Sequence, residues 1–285
     1  MEIRAFFHEP SSTLTYVVWD AGTRDAVVID PVLDLDPLTW RVTTAAVDEV
    51  AAFVAERHLT VHWILDTHVH ADHLTGMAVL TQKLGAPTAI SRRITIVQDV
   101  FAAVFNAIEE VPADGRQFDK LLDDGEVLAA GSLAVEALHT PGHTPACVTY
   151  KIGDAVFTGD ALFMPDYGTG RCDFPRGSAE ALYDSIVNKI YTLPAATRVF
   201  VGHDYLPNGR ELRYETTVGA SRDGNVQLRA TTRREDFVAF RQARDKTLSP
   251  PHFILPSLQV NIRAGELPEA EFNGRVYFKM PIGLL

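Results

Sequence analysis

The chain has 285 residues, 46% of them hydrophobic, and a mean hydropathy of +0.01, enough apolar material for one sizeable core at a length that allows one or two domains. A formal net charge of -11 and a pI near 5.3 argue against a nucleic-acid or anionic-membrane surface, and no apolar run approaches the length of a membrane span. The first residues, Met1-Glu2-Ile3-Arg4-Ala5-Phe6-Phe7-His8, lack the basic-then-apolar layout of an export signal, so a cytoplasmic protein is the expectation.

In chain order, Tyr16-Val17-Val18-Trp19 and Ala26-Val27-Val28-Ile29 read as strands of a hairpin around the turn signal Asp20-Ala21-Gly22-Thr23, after which the chain breaks at Asp30-Pro31. Val47, Val50, Val54 and His58 recur at helical spacing. Val61-His62-Trp63-Ile64-Leu65 is a buried strand, and His73 to Leu84 a second helix stopped by Gly85 and Pro87, so that Asp72 and His73 open a helix. A third helix is predicted from Ile94 to Asn106. Strands follow at Leu133 to Leu138, Cys147 to Ile152 and Ala155 to Thr158, then a helix from Ala179 to Tyr191 and a strand from Arg198 to Val201. Such alternation implies mixed sheets covered by helices. Past Tyr214 the pattern loosens into the charged stretch from Arg229 to Asp236, a helix from Phe237 to Thr247 and a Pro-punctuated tail. Residues 215-285 therefore read as a C-terminal extension of one domain spanning 1-285.

The densest chemical signal is Thr67-His68-Val69-His70-Ala71-Asp72-His73, three imidazoles and a carboxylate directly after the buried strand. Imidazole and carboxylate suit iron, zinc or manganese, and a loop leaving a strand turns alternate side chains toward one point and the rest toward another. Three more ligand types occupy equivalent places after apolar runs: His143 in Thr140-Pro141-Gly142-His143-Thr144, Asp160 in Phe157-Thr158-Gly159-Asp160, and His203 in Phe200-Val201-Gly202-His203-Asp204. The glycine before each lets the backbone bend sharply and approach the centre. Taken singly, each of these is an ordinary turn residue. Taken together, in strand context, they point to a transition-metal site.

With these motifs the chain resembles the metallo-β-lactamase superfamily from its N-terminal hairpin to about Tyr214. The resemblance implies a four-layer αββα sandwich of two mixed β-sheets flanked by helices. It implies a first metal position at His68, His70 and His143, a second at Asp72, His73 and His203, and Asp160 as the bridge. Two branches are close. A glyoxalase-II-like thioester hydrolase with two ions would show Gly-Lys and aromatic residues after the bridging Asp. Gly170-Arg171-Cys172-Asp173-Phe174 and His203-Asp204-Tyr205 instead resemble elements of the persulfide dioxygenases. That branch implies one Fe(II) on His68, His143 and Asp160, with zinc or manganese as substitutes, and sulfite and glutathione made from glutathione persulfide and O2. In it His70, Asp72, His73 and His203 support the site or hold a second ion. The sequence departs from the best-known members at Asp166-Tyr167-Gly168-Thr169 and from Pro250 onward. A non-catalytic metal-binding protein of the same fold is the reading from another class, and a homodimer is left open.

Within that frame Arg171 is a candidate clamp for a glutathione carboxylate, because its planar fork pairs bidentately, the alternative being a surface ion pair. Tyr205 is placed either as a hydrogen-bond donor at the metal or as packing. His58 and His62 read as surface or core residues, and His139 as a loop anchor through a backbone hydrogen bond. Cys147 is expected to be an inert buried thiol. Cys172 reads first as packing and second as a thiol activated by the neighbouring Arg171.

Overall fold

The computed structural model describes residues 1–283. One six-stranded sheet runs in the order Glu2–His8, Thr13–Trp19, Asp25–Ile29, Thr60–Leu65, Thr88–Ser91, Lys120–Leu122, antiparallel over the first three strands and parallel over the rest. The second runs Val127–Ala130, Leu133–His139, Val148–Ile152, Ala155–Phe157, Arg198–Phe200, Glu215–Thr217, with only the Ala155–Phe157 and Arg198–Phe200 pair parallel.

Side-chain alternation along the strands divides the apolar residues into two layers. Leu14, Tyr16, Val18, Val27 and Ile29 meet Val135, Ala137, Val148, Tyr150 and Phe157 between the sheets. From the opposite face of the same strands, Val17, Val28 and Ile64 pack on Val47, Val50 and Val54 of helix Ala45–Glu56, Met77 and Leu80 of helix Met77–Leu84, and Ile94 and Val97 of helix Ile94–Val104. Leu182 and Ile186 from the stretch beginning with helix Ala179–Ser185, and Phe237 from helix Arg234–Asp245, add to the core on the second sheet. The result is the expected sandwich of two sheets flanked by helices. Each fully buried aliphatic side chain contributes about 1.5–3 kcal/mol.

The hairpin, the strand before the His-rich loop and the later strands fall where the sequence places them. The helix boundaries shift more, most of all at His73. The helix expected from His73 begins at Met77, and Leu74–Thr75 instead pairs with Val32–Leu35. Asp72 and His73 therefore lie on the loop. The cause is a distant capture: the Asn261 amide donates to the carbonyls of His70 (2.8 Å) and His73 (2.9 Å), and its oxygen accepts the Thr75 N–H (2.8 Å). Asn261 ends helix Ile254–Asn261, in a tail that reads as irregular because of its prolines. Pro256 sits in the first turn of that helix, where its missing N–H costs nothing. The helix expected at 237–247 spans Arg234–Asp245, and that expected at 179–191 widens to π geometry over Ile186–Ile190.

Tyr16 ties the sheets together, its hydroxyl donating to the Val201 carbonyl at 2.7 Å and its ring packing edge-on to Phe157 and Phe200. Tyr16→Phe should cost about 1–3 kcal/mol by leaving that carbonyl unpaired, and Tyr16→Ala about 3–5 kcal/mol, with urea unfolding as the measurement.

Candidate metal centre

Four loops bring the ligand types together, each leaving the C-terminal end of a strand: Thr60–Leu65, Leu133–His139, Ala155–Phe157 and Arg198–Phe200. Gly159, at φ +48, lets the Asp160 loop close on the His-rich loop; a Cβ there would stand 2.4 Å from Thr67 Oγ1. His68, His143 and Asp160 offer ligand atoms that all lie within 4.8 Å of one another, and so do His70, Asp72 and His203. The first group is the two-histidine, one-carboxylate set expected for a single iron. The second differs from the expected grouping, for His70 stands with Asp72 and His203, and His73 lies beside them rather than among them.

Each imidazole has one nitrogen on a protein acceptor, and that acceptor defines the tautomer. His143 Nδ1–H donates to the Arg171 carbonyl at 2.6 Å, and His203 Nδ1–H to the Ser12 carbonyl at 3.2 Å. His70 Nε2–H donates to Asp30 Oδ1 at 3.0 Å. Thr67 Oγ1 gives its proton to Asp30 Oδ2 at 2.8 Å and so accepts from His68 Nδ1 at 3.0 Å. His73 Nδ1–H donates to Asp72 Oδ2 at 3.1 Å. The opposite atoms, Nε2 of His68, His73 and His203 and Nδ1 of His70, are buried without a partner, as is Asp160 Oδ1. A set of unpaired lone pairs converging in a dry centre fits a metal cation. Asp160 stands between the groups, with Oδ2 3.6 Å from His143 Nε2 and Oδ1 3.3 Å from His203 Nε2.

Asp30 and Thr13 carry this arrangement, and both escaped the sequence reading. Asp30 accepts from Thr67 N–H (2.7 Å), the Thr67 hydroxyl and His70. Thr13 Oγ1 lies 3.3 Å from Asp72 Oδ2, 3.3 Å from His73 Nδ1 and 3.4 Å from His203 Nδ1. The one hint was Asp30 at the end of a buried strand, the position shared by the ligands. Asp66, close to Asp30 and His70, is held well above the ordinary carboxylate range by burial and by Asp30.

Burial, then the neighbouring imidazoles, holds His68 and His70 well below the ordinary histidine value, which keeps them neutral and ready to ligate. Burial works against the charge on Asp72, yet His203 and His73 outweigh it and hold the carboxyl well down. For His203 burial is likewise outweighed, by Asp160 and Asp72, and its value rises.

The remaining candidates fall into place around the centre. Arg171 lines the cleft, but its fork is engaged: Nε and Nη2 donate to Asp173 at 2.6 Å each, and Nη1 to the Ser249 carbonyl at 2.7 Å. Tyr205 lines the same cleft and stacks on His203 at 5.4 Å between ring centroids. His139 binds the Leu122 carbonyl at 3.1 Å as a loop anchor, and His62 pairs with Asp25 at 2.7 Å. Both cysteines are free and buried. Burial pushes the Cys147 thiol up to about 12 and raises Cys172 further, against any activation by Arg171, whose guanidinium faces Asp173. The cleft measures about 660 Å³. No helix among the described residues is long and apolar enough to cross a membrane.

The metallo-beta-lactamase superfamily model matches residues 8–203. The chain belongs to that superfamily. It is 49% identical to a probable metallo-hydrolase of Burkholderia pseudomallei over 99% of each chain. It is 47% identical to a beta-lactamase hydrolase-like protein of Xylella fastidiosa, of which it spans 65%. The persulfide dioxygenase ETHE1 of Bos taurus is 36% identical over 92% of this chain and 88% of its own. Among solved structures, ETHE1 from Myxococcus xanthus superposes with a TM-score of 0.75 at 33% identity, over 93% of this chain and all of that one.

The depressed histidines make the metal-free protein acid-sensitive. Above pH 6.5 both rings are neutral folded or unfolded; below it the unfolded chain takes up protons that the folded one does not. Stability should fall as pH drops below 6.5, by up to about 1.4 kcal/mol per pH unit for each ring. Urea unfolding of metal-free protein between pH 8 and pH 5 measures this against the His68→Gln, His70→Gln double variant, which should lose less stability over that range; an equal loss in both would contradict the burial of neutral His68 and His70.

Proposed function

We propose that this chain is a mononuclear iron dioxygenase that converts glutathione persulfide and O2 to glutathione and sulfite. The observation that carries the reading is the convergence of His68, His143 and Asp160, two histidines and one carboxylate that would leave positions open on a bound iron. The persulfide dioxygenase relatives and the Gly170–Phe174 segment support it. The balanced reaction is RSSH + O2 + H2O → RSH + SO3²⁻ + 2H⁺. Bound Fe(II) would supply adjacent open positions and the redox chemistry that joins dioxygen to sulfur. The chain's own residues do the rest. His68 and His143, with their far nitrogens fixed on Thr67 and on the Arg171 carbonyl, are each held in one orientation with the other nitrogen facing the centre. Phe163 and Tyr167 wall the cleft against water, and the Tyr205 phenol, 42% exposed at the rim of the cleft, is a protonated donor at neutral pH as phenols ordinarily are. The two free, buried thiols accord with a reducing, cytoplasmic setting.

A dinuclear hydrolase of acyl-glutathione thioesters is the second reading. It is favoured by the equally close grouping of His70, Asp72 and His203 and by the placement of Asp160 between the groups. In that case two ions, held by His68, His143 and Asp160 and by His70, Asp72 and His203, would supply the hydroxide nucleophile that thioester hydrolysis needs. An oxygen electrode and a thioester assay on the same iron-loaded preparation separate the two. Persulfide-dependent O2 uptake without thioester cleavage is the expected result, and thioester hydrolysis without O2 uptake would give the assignment to the hydrolase. Asp160→Ala should remove most of the iron and abolish O2 uptake with circular dichroism unchanged.

Substrate anchoring shifts from the sequence expectation. With Arg171 held by Asp173, and Arg241 by Asp245, Arg244 is the cleft-lining arginine without a carboxylate partner among the described residues. A glutathione carboxylate meets it without displacing another anion. Arg244→Ala should raise KM for the persulfide by about 1–3 kcal/mol of binding and leave iron content unchanged, with a smaller effect from Arg171→Ala. The opposite order in steady-state kinetics would restore Arg171 as the clamp.

A further inference from the structure

We propose that Arg241 and Asp245, a buried ion pair in the C-terminal extension, are positioning residues for the metal ligands His143 and Asp160. The pair lies beyond residue 203, outside the segment matched by the superfamily model. It acts through the loop 167–172. Arg241 Nε and Nη2 lie 2.9 and 2.6 Å from Asp245 Oδ1, and Nη1 donates to the Thr169 carbonyl (3.2 Å) and to Gln227 Oε1 (3.0 Å). Asp245 Oδ2 accepts the Cys172 N–H at 2.8 Å. Gln227 completes the grip, its oxygen accepting from Thr169 N–H at 3.1 Å and its amide donating to the Tyr167 carbonyl at 2.8 Å. The Asn225 amide donates to the Gly168 carbonyl at 3.1 Å.

The same loop touches two members of the iron set. The Arg171 carbonyl, one residue from the Cys172 N–H held by Asp245, accepts from His143 Nδ1 at 2.6 Å and so fixes the ring whose Nε2 faces the centre. Gly170 lies flat against the Asp160 backbone, where a Cβ would stand 2.0 Å from the Asp160 carbonyl oxygen. A shift of the loop therefore turns the His143 ring and presses on the backbone of Asp160. Arg241 and Asp245 are 1% and 6% exposed, so water does not substitute for these bonds. Outer hydrogen bonds of this kind fix ligand orientation, and their removal typically lowers metal affinity ten- to a hundredfold.

The proposal rests on the His68, His143 and Asp160 set and not on the reaction, so it stands or falls whichever assay the enzyme answers. The test replaces the pair with apolar residues of similar size, Arg241→Met with Asp245→Leu, which removes both charges together and avoids stranding either one. Co(II) is titrated into metal-free protein and read by its visible absorption and its dissociation constant. The double variant should bind Co(II) ten- to a hundredfold more weakly with an altered spectrum, and Arg241→Lys should recover part of the affinity because it reaches Asp245 without bridging to Thr169 and Gln227. Arg263→Met breaks another ion pair of the same extension, Arg263 with Glu110 at 2.6 Å, and should lower the melting temperature without changing Co(II) affinity or spectrum. If the double variant does not fold, Asp245→Asn is read instead, since it keeps the side-chain shape. A folded variant of the pair with wild-type Co(II) affinity and spectrum would overturn the proposal, as would equal losses in Arg263→Met.

Discussion

Five ligand-type atoms at the centre of this molecule are buried without a hydrogen-bond partner: Nε2 of His68, His73 and His203, Nδ1 of His70 and Oδ1 of Asp160. Leaving a buried polar group unpaired costs about 1–3 kcal/mol, so a chain that holds five such atoms in one place is strained toward a cation. The surrounding structure exists to keep them there. Asp30 holds the Thr67 and His70 end of the loop, Asn261 holds its backbone at His70 and His73, and Thr13 stands among Asp72, His73 and His203. Because every imidazole has its far nitrogen occupied, the rings present one nitrogen each with little freedom to turn away.

The same geometry explains why one scaffold serves more than one chemistry. Asp160 faces His143 with one oxygen and His203 with the other, so the carboxylate can bind a single ion or bridge two. Occupancy of the second group would then separate the proposed dioxygenase from the dinuclear hydrolase reading. The electrostatics differ between the groups. His68 is kept neutral by burial and neighbouring rings, whereas His203 is drawn toward its charged form by Asp160 and Asp72. An ion on the second group competes with that pull toward protonation at His203.

The candidate ligand side chains could be picked out in the sequence because each follows a buried strand within a few residues, and strand ends at one edge of a sandwich converge. The four-layer fold was legible for the same reason, through apolar runs and their turn signals. What escaped the sequence acts across long separations. Asp30 meets Thr67 over 37 positions, Thr13 meets His73 over 60, and Asn261 meets His73 over 188. No local pattern encodes those partners. The misplaced helix start at His73 has the same origin, since Asn261 takes the His73 carbonyl that a helix would have used. Arg171 shows the opposite limit, a residue found by its motif whose fork is already bound to Asp173 two residues on.

The central claim is that a single ion sits on His68, His143 and Asp160. Anomalous diffraction at the iron edge, from crystals of protein loaded with physiological levels of iron and zinc, tests it most directly. One iron peak is expected among those three side chains and none of comparable height among His70, Asp72 and His203. Two fully occupied peaks bridged by Asp160 would contradict it.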